Sequence, residues 1–317
     1  MWNFKVDKSI DHFEYNDLIL GNIKIPSENI EDFSIARSNK NPTFILTNLI
    51  DDHKEGITNV IRGNDHSINT IKQNLISKAL NFNKIEYAHI PLIHDMSGKK
   101  LSKRDNVTNV DDYLKNGYLV DSIFNFIVKL GNNFNDIEFL DLDIALQNFD
   151  IDKIVSSPAK FDIEKLNFIN QYYLKKLDLD QFKMQISDLN KSLIENYNIE
   201  LVYKEILDRC VTLNDINFEI VKLIKFYDSK EVLKIDEEEQ NLIKNIYEVI
   251  QNLHNTDDVI KILEENRLNL KKIGKTIRKI LVNFESKLPI DKIILFYGIG
   301  NFKERLLLYL NDWRKKI

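Results

Sequence analysis

Cysteine is almost missing from this chain of 317 residues. With Cys210 alone, no disulfide can close within it and no zinc site can be built on cysteines. Long apolar runs are missing as well: no stretch of about eighteen uncharged apolar residues offers a membrane span. The opening MWNFKVDKSI has no signal-peptide core, so a cytoplasmic protein is expected. No low-complexity linker and no repeat of fixed period interrupts the chain. An excess of positive charge is absent too, since the formal net charge is −5. That balance argues against a protein held to nucleic acid by its overall charge. Basic residues are concentrated locally instead, with twelve Lys/Arg against four Asp/Glu from Leu268 to the C-terminus.

What is present is a pattern that changes near residue 105. In the first forty residues NFKV, HFEYNDLILGNIKI and EDFSIARS alternate polar and apolar residues, which predicts strands and hairpins. PTFILTNLIDD, almost uncharged from Pro42 to two acids, reads as a buried strand of a parallel sheet. GITNVIRGNDH supplies a second strand-like run. SINTIKQNLISKAL follows with apolar residues at Ile68, Ile71, Leu75, Ile76, Ala79 and Leu80, a helical spacing. YAHIPLIH is a third strand-like run, so a βαβ unit is expected, with candidate ligand residues at the strand ends. Beyond Asp105, VDDYLKNGYLVDSIFNFIVKLG has an acidic first turn and helical spacing, with Gly131 as the expected cap. Helical spacing then recurs to Ile317. The fold class expected is α/β plus all-α.

The run Lys99-Lys100-Leu101-Ser102-Lys103-Arg104 follows the third strand directly. A basic run is ordinarily a solvated face. At the end of a parallel strand, behind Gly98, it also suits a mobile loop that grips phosphates, because lysine is a compact charge on a flexible stem. The neighbouring acids Asp51 and Asp52 read as strand-end partners or helix caps.

The spelling favours the phosphate-gripping loop. Lys100-Leu101-Ser102-Lys103-Arg104 resembles the KMSKS signature of class I aminoacyl-tRNA synthetases, in the form used by glutamyl-tRNA synthetases. The similarity extends to residues 42–73 (PTFILTNLIDDHKEGITNVIRGNDHSINTIKQ), to AHIPLI at 88–93 and to GYLVDSIFNFIVKLG at 117–131. SPAKFDIEKLNFIN at 157–170 continues it, and EILDRCVTL at 205–213 follows weakly. A helical second half separates the chain from glutaminyl-tRNA synthetases, whose anticodon domains are β-barrels.

The resemblance implies a division of the chain. Residues 1–41 would end an inserted domain that holds the tRNA acceptor end. Residues 42–108 would form the second half of a Rossmann-type catalytic domain. Residues 109–178 would form a helical stem-contact domain, and 179–317 helical anticodon-binding domains. The family's other signature, HIGH, has no counterpart, since none of the six histidines stands in an H-x-G-H pattern. The chain is therefore expected to be a C-terminal part that lacks the HIGH-containing half, with a separate N-terminal half as a candidate partner.

The implied activity is ATP-dependent attachment of glutamate to tRNA through glutamyl-adenylate, with ATP and Mg2+ as substrate and no zinc site visible. The tRNA is the glutamate isoacceptor, with the glutamine isoacceptor left open. A non-catalytic tRNA-binding module is the alternative, and a decaying gene product without function a blander one. By resemblance, Lys103 contacts ATP phosphates and Lys100 closes the loop. Leu92, Ile93 and Leu101 surround the adenine, and Asp65 and His66 lie near ribose and adenine. Arg62 pairs with the carboxylate of glutamate, where a planar fork suits bidentate bonds. Asn48 is a neighbouring polar contact. Phe44 stands where the family usually has tyrosine, so a hydroxyl contact is absent there.

Overall fold

The computed structural model describes residues 1–101, 109–134, 137–186, 195–256, 258–283 and 286–314. Ser102, Lys103 and Arg104 of the basic run lie outside them. Two compact units form, one of residues 1–108 with 124–163 and the other of 109–123 with 164–317. Residues 109–123 and 164–178 fall in the second unit and 124–163 in the first.

In the first unit, β1 (Trp2–Phe4) pairs antiparallel with β4 (Phe33–Ala36). β2 (His12–Asp17) and β3 (Gly21–Pro26) form the hairpin that the alternating pattern predicts. β5 (Asn59–Gly63) runs parallel to β6 (Glu86–Ile90), and α2 (Ser67–Leu80) crosses between them, as the expected βαβ unit requires. The sheet order is β3-β2-β6-β5, with β2 joined to β6 at Asp17 and Tyr87. Strands from before residue 41 therefore share one sheet with strands after it.

PTFILTNLIDD is not a strand. It forms α1 (Phe44–Lys54), entered through extended Thr43. A short apolar run bounded by turn residues fits a buried strand or a buried helix equally well by periodicity. Here Leu49 is fully buried while Phe44, one turn before Asn48, is exposed. That one-sided burial follows a helical face. Leu49 joins Ile71 and Ile76 of α2 in one core with Phe13, Tyr15 and Tyr87 of the sheet. Each such aliphatic side chain contributes about 2 kcal/mol by leaving water.

After β6 the chain passes Pro91 to β7 (Ile93–His94), which pairs parallel with β8 (Ala159–Lys160). A smaller core of Phe134, Leu140 and Ala145 lies beside α5 (Leu142–Asn148). Asp141 caps that helix by accepting from Ile144 N–H at 2.8 Å.

The expected single helix ending at Gly131 is two helices, α3 (Val110–Lys115) and α4 (Val120–Lys129). Gly117 separates them at φ +86°, a conformation open to glycine and strained for other residues. No strand occurs among the described residues of the second unit. It contains α6 (Ile163–Lys176) from residue 164 on, α7 (Leu179–Gln185) and the helices Tyr203–Arg209, Leu213–Asp228, Glu237–Ile250, Val259–Glu265 and Leu270–Leu281. The final helical segment, Ile290–Arg314, is interrupted at Gly298. Three of these starts carry a reciprocal capping box, Asp178 with Gln181, Thr212 with Asp215 and Asp236 with Glu239. One apolar core unites the helices. Cys210 lies within it, and burial pushes its thiol up to about 12, so it stays protonated and inert. Among the described residues, no helix is long and apolar enough to cross a membrane.

Candidate active site

Arg62 leaves β5 one residue before Gly63, where the strand turns toward α2. Its guanidinium is half-buried and lies 5.1 Å from the Tyr87 ring centroid. Burial lowers its pKa, and nearby Asp52 opposes the shift. Arg62 Nε donates to His89 Nε2 at 3.3 Å. Nη2 donates to Thr70 Oγ1 at 2.6 Å, to Gln73 Oε1 at 2.9 Å and more weakly to the His66 carbonyl at 3.4 Å. Nη1 has no protein acceptor among the described residues. The bidentate edge formed by Nε and Nη2 is thus occupied by the protein itself. A ligand carboxylate is left the two N–H groups of Nη1.

Asn48 is tied to this arginine through one side chain. Gln73 Nε2 donates to Asn48 Oδ1 at 2.8 Å while its Oε1 accepts from Arg62. Asn48 Nδ2 keeps its donors, with no acceptor among the described residues. Phe44, one helical turn earlier on α1, is 60% exposed, and its ring lies 6.4 Å from that of His66.

Behind Arg62 the polar chain continues into the sheet. His89, fully buried on β6, places Nδ1 2.5 Å from Asp17 Oδ2 at the end of β2. Asp17 Oδ1 accepts from the backbone N–H groups of Ile19, Leu20 and His89 at 3.0, 2.9 and 3.1 Å. Burial opposes the charge on Asp17, but the bonds from Leu20, His89 and Ile19 outweigh it and hold the carboxyl below its usual range. On α1, burial raises the pKa of Asp52, Arg62 opposes the shift and Asp51 adds to it.

The basic signature begins on a hairpin. Asp95 N–H donates to Lys99 O at 2.8 Å and Leu101 N–H to Ile93 O at 3.0 Å, with His94 bridged to Lys100. Gly98 turns the hairpin at φ +88°. The Asp95 side chain accepts from Ser97 Oγ at 2.6 Å and from the Lys99 amide at 2.9 Å, which fastens the turn. Lys100 reaches back from this arm to Asp65, Nζ to Oδ2 3.1 Å. That bond holds the Asp65 carboxyl below its usual range against a small opposing effect of burial. Gly63 lies under the same group: a Cβ there would stand 2.7 Å from Asp65 Oδ1 and 3.8 Å from Leu92. Ile93 is exposed on β7.

The structure therefore gathers two sets from the residues singled out in the sequence. Arg62 and Asn48 meet through Gln73, with Phe44 against His66 nearby. Asp65 meets Lys100 beside Gly63 and Leu92, with Ile93 and Leu101 on the hairpin. Among the described residues no group of three His, Cys, Asp or Glu side chains is placed to hold a metal ion.

Residues 2–168 match the family model described as tRNA synthetases class I (E and Q), catalytic domain. The chain is also similar to glutamate–tRNA ligase 2 of Neorickettsia sennetsu, 31% identical over 93% of this chain and 73% of the relative. It belongs to the glutamyl-tRNA synthetase family. A glutamate–tRNA ligase of Wigglesworthia glossinidia brevipalpis is 33% identical over 96% of this chain and 68% of its own length. The fold resembles the crystal structure of a glutamate tRNA ligase from Elizabethkingia meningosepticum, with a TM-score of 0.79 and 24% identity. That likeness covers 98% of this chain and 68% of the solved one.

For a glutamyl-tRNA synthetase family chain, the residues that sequence reasoning passed over are Asp17, Thr70, Gln73 and His89. A signal for two of them was available. His66, Thr70 and Gln73 recur at helical spacing after Arg62, a polar stripe on the face of α2 whose neighbours Ile71 and Ile76 enter the core. Asp17 and His89 carry no such local mark.

Proposed function

We propose that this chain acts in the ATP-dependent attachment of glutamate to tRNA, activating the amino acid as glutamyl-adenylate and passing it to the tRNA 3′ end. The observation that carries the reading, in a chain of this family, is the donor set left by the Arg62–Gln73–Asn48 bonds. The two N–H groups of Arg62 Nη1 and those of Asn48 Nδ2 are donors without protein acceptors among the described residues, and a carboxylate offers acceptors only. Arg62 and Asn48 would hold glutamate, with Phe44 supplying contact without a hydroxyl. Asp65, His66, Leu92, Ile93 and Leu101 would border ATP, which enters with Mg2+. Lys100 and Lys103 would neutralise its phosphates.

Adenylation is an in-line displacement at the α-phosphate, so the work asked of these residues is positioning and charge stabilisation. Lys100, held by Asp65, sits on a hairpin whose next residues carry Lys103. Rotation of Lys100 from Asp65 onto a phosphate would exchange one anion for another as ATP arrives. Residues 1–41 would border the acceptor end. Residues 42–108 would carry the catalytic half, 109–178 would contact the acceptor stem, and the helical 179–317 would read unstacked anticodon bases.

Depleting the protein in cells and measuring the charged fraction of tRNA-Glu tests the reading. Charging should fall and be restored by wild type but not by Arg62→Gln or Lys103→Ala. Charging that holds steady on depletion rejects it.

A further inference from the structure

Between the Asp17 carboxylate and the Arg62 guanidinium stands one imidazole, and the two charges leave it no freedom. Ionised Asp17 can only accept and Arg62 can only donate. His89 must therefore carry its proton on Nδ1, 2.5 Å from Asp17, and offer the Nε2 lone pair to Arg62 at 3.3 Å. The Thr70 hydroxyl accepts from Arg62 Nη2 at 2.6 Å and, 3.1 Å from the same Nε2, shares that single lone pair with Arg62 Nε as a second donor. The same logic runs outward. Gln73 must turn its oxygen to Arg62, so its NH2 meets Asn48, and Asn48 must turn its oxygen to Gln73. The bonds thus run outward from Arg62 both ways, through His89 to Asp17 and through Gln73 to Asn48, and the last group on the α1 side, Asn48 Nδ2, is a donor.

We propose that Asp17 and His89 are positioning residues: without touching substrate, they fix the proton on His89 Nδ1, hold Arg62 by its Nε and so leave its Nη1 turned out to meet a carboxylate. The proposal rests on the reading of Arg62 as a carboxylate-binding residue. Its distinctive content is the direction of the bonds from Arg62 through His89 to Asp17. Packing alone would be indifferent to replacing Asp17 by the isosteric Asn. The hydrogen-bond direction is not indifferent. Three backbone N–H groups at Oδ1 would keep the amide oxygen of Asn on their side, and its NH2 would then face His89 Nδ1. The ring would have to protonate Nε2 instead, setting an N–H against the Arg62 Nε–H.

The test combines side-chain NMR with glutamate titration of the 317-residue chain. Long-range 1H–15N spectra of wild type should show His89 protonated at Nδ1, and those of Asp17→Asn at Nε2. Glutamate should bind Asp17→Asn roughly ten- to a hundredfold more weakly, the range expected for a displaced bond to a charged group. ATP binding should change little. A wild-type ring protonated at Nε2 overturns the proposal, as does unaltered glutamate binding in a folded Asp17→Asn. If Asp17→Asn does not fold, His89→Gln replaces it, keeping Asp17, Thr70 and Gln73 while removing the ring nitrogen that holds Arg62 Nε. Weaker glutamate binding then supports the proposal, and unchanged binding rejects it. Arg62→Gln separates the two readings. If it binds glutamate like wild type, or if wild type does not respond at all, glutamate binding does not read Arg62, and the protonation site of His89 alone decides the relay.

Discussion

Lys100 reaches across the turn from its hairpin to Asp65, thirty-five residues earlier, and closes an ion pair of 3.1 Å. Both side chains are about half exposed, 50% and 46%, so the pair contributes less than about 1 kcal/mol after solvent screening. Asp65→Asn should change stability by no more than that in denaturant unfolding. The sign of the pH effect follows from the depressed folded pKa of Asp65. Its small stabilisation is complete above the unfolded value of about 3.9 and is lost as pH falls through the lower folded value. A variant losing several kcal/mol would show that the carboxylate holds more than Lys100.

Gly117 should be intolerant of a side chain. It combines φ +86° with close approach: a Cβ would lie 2.6 Å from the Asn214 backbone nitrogen. The Gly117 carbonyl also accepts from Leu213 N–H at 2.8 Å, fixing the start of the helix Leu213–Asp228. Gly117→Ala is expected to destabilise by roughly 2 kcal/mol or more through strain and overlap. Chemical denaturation reads it, and an unchanged midpoint would mean the turn yields freely.

Lys103→Ala should slow adenylate formation about a hundredfold, the usual effect of losing one preorganised charge at a developing transition state. The rate is read by glutamate-dependent pyrophosphate exchange in the enzyme that carries these residues. Glutamate affinity should hardly move, because the basic loop is assigned to phosphates and Arg62 to the amino acid. An unaltered rate would return the KKLSKR run to a solvated face.

The chain should bind tRNA in a salt-sensitive way. Basic residues predominate from Leu268 onward, and phosphate contacts release counterions. Competition between tRNA-Glu and a tRNA with an unrelated anticodon, at low and moderate salt, separates anticodon reading from general attraction. Equal binding at every salt concentration would leave only a basic surface.

Much of the site was legible because its local grammar was plain. Arg62 before Gly63, the helix from Ser67 and the strand through His89 follow from period and turn residues, and together they give the β5–α2–β6 crossover. PTFILTNLIDD reads as a strand because Phe44, Ile45, Leu46, Leu49 and Ile50 make a short, nearly uncharged run, and only the burial of Leu49 beside the exposure of Phe44 decides its period. The single helix expected to end at Gly131 failed for a different reason: Gly117 breaks it through contacts with residues 213 and 214, far along the chain. Asp17 and His89 were illegible for the same cause. Each is an unremarkable polar residue at a strand end until the sheet brings them together.

That separation has a kinetic consequence. The β5–β6 pair closes through a connection of twenty-two residues between Gly63 and Glu86, filled largely by a helix whose backbone bonds are local. The bond between Asp17 and His89 spans seventy-two positions and must wait for β2 to dock on β6. Chain closure over the longer span costs more entropy and is repaid only once the sheet is assembled. Arg62 should thus gain its place on the crossover early and its fixed orientation late. In pulsed hydrogen exchange during refolding, amides bonded across the β5–β6 ladder should gain protection before the Leu20 and His89 amides that Asp17 holds. Simultaneous protection would mean that the sheet assembles in one step.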